Sequence, residues 1–357
     1  MIQSIKRPNV NYREIKALNS SMIKLFDSDP VKFFEQFKLG KKRKNLTSTS
    51  IVIGDIVDFY LLECKGNEDE FDQRCDEKFA ISSVEKGSGQ VFFLADLLFD
   101  ITEEDTNLEG EIGSSFETRF SQAFKMAQAA GKYKGGKEEK ALIDFNENAK
   151  TYFTELIENS GKTVVSPSLL DKAKYISKFL MEDEYTKHLF KENIKEEMYS
   201  KFPIEWKYRG IDCKSEVDLI RINHTLRRIY IYDLKTTYDN ENFEYSYIKH
   251  GYYIQAGFYY LAVQEWAKQN EMEAYTIVPM EFIVADTSSN SRRPIRYQTS
   301  QKDLRASIDG FALKGIQYKG INDIITEILW AEETNSWNCS KEVFDNDGII
   351  KLKLGYE

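Results

Sequence analysis

Two stretches of this 357-residue chain hold side chains that could do hydrolytic chemistry together, Lys214–Ile220 and Ile229–Thr237. The second contains Asp233-Leu234-Lys235, the first Asp218. Side chains alternate along a strand, so Asp233 and Lys235 point one way and Tyr232 and Leu234 the other. If the two strands pair as a hairpin, Asp218 comes beside Asp233. Two carboxylates and an ammonium would then converge at one end of a sheet. Such carboxylates suit Mg²⁺ or Mn²⁺, hard cations that take oxygen ligands and keep several waters. A cation there lowers the pKa of a bound water and neutralises charge building on a phosphodiester under attack. The lysine can orient or help deprotonate that water and steady the scissile phosphate. An Asp-x-Lys triplet alone is common on exposed strands, so the surrounding elements must decide.

Seventeen residues after Lys235 comes Tyr252, then Gln255 and Tyr259. On a helix Tyr252 and Gln255 share a face, and Tyr259 extends the stripe. Gln255 could hydrogen-bond an active-site water or a phosphate oxygen. Without the preceding strands the same stripe reads as aromatic core. The elements that would position these groups are legible. Residues 202–208, 212–222 and 228–235 read as strands, with Asn223-His224-Thr225 as the turn between the last two. A long helix is expected from Tyr245 to about Gln269. Further strands are expected at 275–285 and 294–298, and mostly helix from Thr299 to about Ala331. Near the N-terminus, Asn19-Ser20-Ser21 can cap a helix with Met22, Ile23, Leu25 and Phe26 on its apolar face. Asp29-Pro30 would start a second helix through Phe33, Phe34 and Phe37. An amphipathic stretch follows at 51–62. Helices flanking a central run of strands predict a mixed α/β layer fold.

With these residues in order, the chain resembles the PD-(D/E)XK nuclease superfamily, and within it the exonuclease VIII (RecE-like) branch of phages and prophages. The resemblance lies in Asp218, in Asp233-Leu234-Lys235-Thr236-Thr237, and in Gly251-Tyr252 with Gln255 and Tyr259. It extends to Leu18–Met22, to Asp29-Pro30 with Phe33 and Phe34, and to Gly54 with Asp58, Leu61, Leu62 and Glu63. It covers roughly residues 12–64 and 165–335. Two positions depart from the family pattern. Asp58 stands where the family has a histidine at or near the metal, and an aspartate can bind Mg²⁺ directly. Val217 stands where many members have proline.

The resemblance implies a restriction-endonuclease-like core, a central mixed β-sheet flanked by helices. Residues 1–65 would form its N-terminal helical part, 66–165 an acidic insertion and helical subdomain, and 166–357 the core with the catalytic hairpin. It implies metal ligation by Asp218, Asp233 and the Leu234 carbonyl, with Asp58 in the histidine's place. Lys235 would serve the water, and Gln255 and Tyr252 would support substrate or metal. Related nucleases that carry a four-cysteine iron–sulfur cluster need a cysteine where Asp29 stands, so no cluster is expected. The implied activity is Mg²⁺- or Mn²⁺-dependent exonuclease action on duplex DNA ends, beside a single-strand annealing protein and commonly as a homo-oligomer. An endonuclease or structure-specific nuclease, and a non-catalytic DNA-binding or assembly module, are the alternatives.

Charge and cysteines bound the reading. The net charge is −9, but residues 66–117 hold fifteen Asp and Glu against three Lys and Arg, a net of −12. The rest of the chain is therefore +3, so the acidity is local and does not exclude a nucleic-acid partner. Within the acidic segment Phe92, Phe93, Leu97, Leu98 and Phe99 suggest a folded piece or a docking surface. Lys41, Lys42, Arg43 and Lys44, and Lys132, Lys134 and Lys137, could contact phosphates without reading sequence. Glu205 and Glu216 are candidate supporting carboxylates, the latter on Asp218's face if alternation is strict. Four cysteines lie far apart with no paired spacing, and the three histidines form no zinc motif. No apolar run is long enough to span a membrane and no signal peptide is evident, so reduced thiols in a cytoplasm are expected.

Overall fold

The computed structural model describes residues 12–41, 49–87, 89–106, 110–288 and 292–350. Contacts divide the chain into two units. The first gathers residues up to Lys41, Glu184–Asp286 and those from Arg293 onward; the second gathers Lys42–Asp183 and Thr287–Arg292.

The first unit is built on a mixed six-stranded sheet, as the alternation of strand-forming residues predicts. Its strands are β1 (Glu197–Tyr208), β2 (Ile211–Asn223), β3 (Arg228–Thr237), β4 (Thr276–Ile277), β5 (Glu281–Asp286) and β6 (Ile295–Gln298). The spatial order is β1-β2-β3-β5-β6, with β4 pairing the start of β3. β1, β2 and β3 form antiparallel hairpins, β3 pairs β5 in parallel, and β6 returns antiparallel to β5. Arg209 and Gly210, both at positive φ, make the two-residue turn between β1 and β2. That backbone matches the twist of paired strands and fixes their register.

Two expected elements are broken, each for a local reason. Residues 275–285 give two short strands because Pro279 between them has no N–H for the ladder. The expected helix from Tyr245 to Gln269 is two helices, α2 (Phe243–Lys249) and α3 (Tyr252–Gln269). Gly251 separates them at φ +61, a conformation that closes the first helix and costs other residues a Cβ clash. The break places Tyr252 and Gln255 in the first turn of α3. The region after Thr299 holds α4 (Gln301–Asp309) and α5 (Ile321–Thr334), with a small hairpin between them turning at Lys314-Gly315.

Apolar side chains from one face of the sheet, including Phe202, Ile204, Trp206, Ile229, Ile231 and Phe282, are buried against α3 and α5. Trp206 meets Phe258 of α3 edge-on at 4.7 Å, and Phe202 meets Trp266 at 5.3 Å. Helix α1 (Ser20–Ser28) adds Ile23 and Phe26 to the same core and is capped by Asn19, whose Oδ1 accepts from Met22 N at 2.9 Å. Proline at the start of Pro30–Phe33 also matches expectation, and the turn continues π-helically through Phe34–Lys38.

The second unit contains the acidic segment, whose described residues are folded. Helices Gln90–Asp105, Phe116–Ala129, Glu138–Asn148 and Lys150–Glu158 enclose a core that includes Leu94, Leu97, Leu98, Phe99, Phe120, Phe124 and Phe145. The residues Phe79–Ile81 and Thr163–Val165 pair in parallel beside them. Asp58 closes the helix Thr49–Asp58 of this unit and is half-buried.

Gly257 lets α3 approach its neighbours. A Cβ there would lie 2.8 Å from Ser307 Cβ and 3.1 Å from Ile321 Cδ1. Gly257→Val is expected to destabilise the chain by about 1–3 kcal/mol through overpacking. A urea midpoint equal to that of the parent would show that α3 can shift to accept the side chain.

Candidate active site

The β2–β3 ladder runs from Asn223↔Arg228 to Leu219↔Tyr232. On the far side of the same gap, Leu18 docks on β2, its N–H donating to Asp212 O and its carbonyl accepting from Lys214 N. Between these two pairings β2 and β3 part. Asp218 spans the opening: its Oδ2 accepts the Leu234 N–H at 3.0 Å. A carboxylate therefore stands in for a backbone acceptor at the mouth of the split, which satisfies a buried N–H and fixes the Asp218 rotamer.

Asp233, the next residue along β3, is fully buried, and its Oδ1 accepts from Gln255 Nε2 at 2.7 Å. Lys235 forms an ion pair with Asp233 Oδ2, out of hydrogen-bonding geometry, so that buried oxygen accepts no hydrogen bond. Lys235 Nζ also reaches the Leu234 carbonyl at 3.5 Å and lies 5.0 Å from the centroid of the Tyr252 ring. The expected group of Asp218, Asp233, Leu234, Lys235, Gln255 and Tyr252 is thus brought together, and Tyr259 is buried next to Gln255.

Lys201 completes the group and was not expected, because the strand reading began at Phe202. Its Nζ donates to Asp218 Oδ1 at 2.8 Å. The register pairs Ser200 with Leu219 and Phe202 with Val217, which sets Lys201 across from Asp218. Lys201 has φ +45, a left-handed conformation that costs a non-glycine residue about 1–3 kcal/mol and concentrates at functional sites. The inward-facing residues step by three at this level in both strands. They go from Tyr199 to Phe202 and from Val217 to Ile220. Strict alternation fails there, which is why Glu216 is not carried along with Asp218; its charge acts instead on Tyr12 and Lys214, pushing the pKa of each upward, against burial in the case of Lys214. A signal for Lys201 was present in the sequence. Counting back from an Arg209-Gly210 hairpin turn pairs residue 201 with residue 218.

Burial and proximity set the charge states. Burial pushes the Asp233 carboxyl up to about 6, opposed by the Lys235 ammonium and reinforced by Asp218. Burial acts the same way on Asp218, but Lys201 and Lys235 together with the Leu234 N–H outweigh it and hold that carboxyl below its ordinary value. Burial disfavours the Lys235 ammonium, yet Asp233 and Asp218 overcome this and raise its pKa. Lys235 therefore keeps its proton at neutral pH. In this arrangement it can donate to water or phosphate.

The donor chemistry fits a divalent cation. Asp218, Asp233 and the Leu234 carbonyl offer hard oxygens, and Asp233 Oδ2 accepts no hydrogen bond. Among the described residues, no group of three or more His, Cys, Asp and Glu is gathered to hold a metal, so a backbone carbonyl, water or substrate oxygen would have to complete such a set. Asp58 belongs to the second unit. Glu205 is exposed on β1 and paired in register with Lys214, four residues from Asp218. Lys41 is exposed and ion-paired with Glu35 at 2.6 Å, while Lys42, Arg43 and Lys44 lie outside the described residues. The described cysteines are free thiols, and no described helix is long and apolar enough to cross a membrane.

A family model for the PD-(D/E)XK nuclease superfamily matches residues 74–329, which takes in all of β1 to β6 and α3. A crystal structure of a candidate exonuclease from Eubacterium rectale is similar over 98% of this chain and 96% of that one, with 12% identity and a TM-score of 0.48. No curated protein matches the chain.

The raised Asp233 pKa has a measurable consequence for stability. The folded state binds this proton more tightly than the unfolded chain, whose carboxyl titrates near 3.9. The stabilisation is present below that value and is lost as pH rises through about 6. At pH 8 without divalent cations, Asp233→Asn should raise Tm by relieving a buried charge, an effect on the order of 2 kcal/mol. At pH 5 the gain should shrink. Thermal melts of both proteins at the two pH values check this, and an equal or lower Tm for the variant at pH 8 would contradict it.

Proposed function

Since the chain belongs to the PD-(D/E)XK nuclease superfamily, we propose that it is a metal-dependent DNA exonuclease of the RecE-like kind, hydrolysing phosphodiester bonds from a duplex end. The observation that carries the reading is the convergence of Asp218, Asp233, Lys235 and Gln255 at the split between β2 and β3. Asp218, Asp233 and the Leu234 carbonyl are the residues to hold Mg²⁺ or Mn²⁺. A cation held there activates water and offsets charge on the phosphate. Around it, Gln255 fixes Asp233 through the 2.7 Å hydrogen bond, so the carboxylate does not need to reorganise during reaction. Lys235, as an ammonium, positions water or the scissile phosphate through its protons. Lys201 holds Asp218 in place through its 2.8 Å hydrogen bond to Oδ1. Tyr252 walls the site beside Lys235, and burial, with Asp233 adding, keeps its phenol protonated.

The wider setting belongs to the same proposal. We assign the protein to recombination or DNA processing in a phage-infected or lysogenic bacterial cytoplasm, acting beside a single-strand annealing protein and as a homo-oligomer. Asp58 would supply a further carboxylate from the second unit, and residues 66–165 would form a subdomain inserted in the nuclease core.

Purified protein given end-labelled linear duplex and covalently closed circular DNA should degrade the linear molecule only, in Mg²⁺ or Mn²⁺ and not in EDTA. Asp233→Ala should lower the rate by at least about a hundredfold, as loss of a group that stabilises the transition state does. Cutting of the closed circle would instead mark an endonuclease, and absence of cleavage in every metal would mark a binding module. Asp58→Ala is expected to shift the Mg²⁺ titration to higher concentration; a superimposable titration would remove Asp58 from the site.

A further inference from the structure

We propose that Lys214 is a positioning residue of the candidate site: its ammonium locks residues 12–18 along the edge of β2 that β3 leaves bare, and so holds Asp218 in place. The functional half of this proposal rests on the nuclease reading. Lys214 is buried, and its Nζ donates to two main-chain carbonyls, Tyr12 O at 3.0 Å and Ile15 O at 2.7 Å, which lie 202 and 199 residues earlier in the chain. The Tyr12 ring lies 4.6 Å from the same ammonium. Two carbonyls and an aromatic face make a cation site that the protein fills with its own lysine. The main chain of Lys214 binds the same segment. Its N–H donates to Leu18 O at 2.8 Å, and the Leu18 N–H donates to Asp212 O at 3.0 Å. Leu18 and Cys213 form a single parallel bridge. One bridge is a weak hold on a chain segment, and the Lys214 side chain adds two charged hydrogen bonds to it.

The locked segment stands beside the carboxylate pair. β1 covers one edge of β2 over residues 211–222, whereas β3 covers the other edge only over 219–223. Asp218 is the first residue beyond that cover, and Leu18 covers the edge again at residues 212–214. The stretch that bears Asp218 is thus held at both ends, with Lys214 about 13 Å back along the strand as the outer hold. Tyr12 links the segment to the site. Burial and then the charge of Glu216 raise its pKa, while a hydrogen bond with the Asn19 side chain opposes them. Tyr12 acts in turn on Tyr259, the buried phenol beside Gln255, on which Asp233 and Asp218 also act. With the segment released, β2 would be an open edge as far as Leu219, and the Leu234 N–H would be left as the tie of Asp218 to β3. A displacement of about 1 Å at a reacting group costs up to roughly a hundredfold in rate.

The test reads the lock and the chemistry separately in the full chain. Lys214→Met keeps an apolar stem and removes the ammonium. Trypsin cleavage after Lys16, an exposed residue inside the locked segment, should become at least about tenfold faster, because losing charged hydrogen bonds opens the segment more often. Mass spectrometry reads the product that begins at Ala17. Lys214→Arg, which keeps donors for both carbonyls, should restore resistance. On linear duplex in Mg²⁺, Lys214→Met should lower kcat and kcat/KM together by about tenfold or more with KM unchanged, the pattern of misplaced reacting groups and not of lost binding. Rates are taken well below the Tm of each protein, so that lost stability alone does not move them. Tyr12→Ala removes the ring over the ammonium, keeps both carbonyls, and should move both readouts the same way by less; it serves if Lys214→Met does not fold. Clipping at the parent's rate in whichever variant folds would overturn the lock, and faster clipping with the parent's kcat would overturn the positioning role. Absence of cleavage by the parent rejects the nuclease reading, and the trypsin assay then still judges the lock.

Discussion

The first unit is organised around one constraint: two carboxylates are buried side by side and must be compensated. Asp218 and Asp233 sit where β2 and β3 separate, out of water, where an isolated charge costs several kcal/mol. The protein answers with two ammonium groups and an amide. Lys201 takes one oxygen of Asp218 and the Leu234 N–H takes the other, while Lys235 and Gln255 take the two oxygens of Asp233. Every element nearby serves that arrangement. Leu18 fills the β2 edge that β3 has left, the β1–β2 turn sets the register that brings in Lys201, and Gly251 starts α3 at the level where Gln255 reaches Asp233.

The compensation is incomplete in an informative way. Asp233 remains a reluctant anion, and its Oδ2 faces an ammonium without a hydrogen bond. A site optimised for stability alone would have removed this charge. The strained backbone of Lys201 points the same way, since a residue at φ +45 inside a strand is retained against a steric cost.

The acidic excess belongs to a folded part of the second unit. Its apolar residues Leu94, Leu97, Leu98 and Phe99 are core, Asp100 of the same helix is buried with them, and Asp96 is paired with Lys86 at 2.8 Å. The negative charge therefore sits on a unit with its own interior, while the candidate site is in the unit that carries Lys201 and Lys235.

Much of the site was legible in the sequence because it depends on local rules. The period of two put Asp233 and Lys235 on one face, the period of 3.6 put Tyr252 and Gln255 on another, and a short turn implied that Asp218 returns near Asp233. Asn19 and Asp29-Pro30 marked helix starts through caps that act within three residues. The break at Gly251 and the interruption at Pro279 were written as residue types but obscured by longer apolar runs. Lys201 was not legible as a site residue, since nothing within a few positions of it distinguishes it from a surface lysine. The amino-acid sequence by itself thus determined which groups could do the chemistry and how each lies on its own strand or helix. Only the tertiary structure decided that β2 and β3 part, that Lys201 faces Asp218, and that burial raises one carboxyl while paired ammoniums lower the other. Charge states and cross-strand partners depend on what surrounds a group in three dimensions, and that environment comes from segments far apart in the chain.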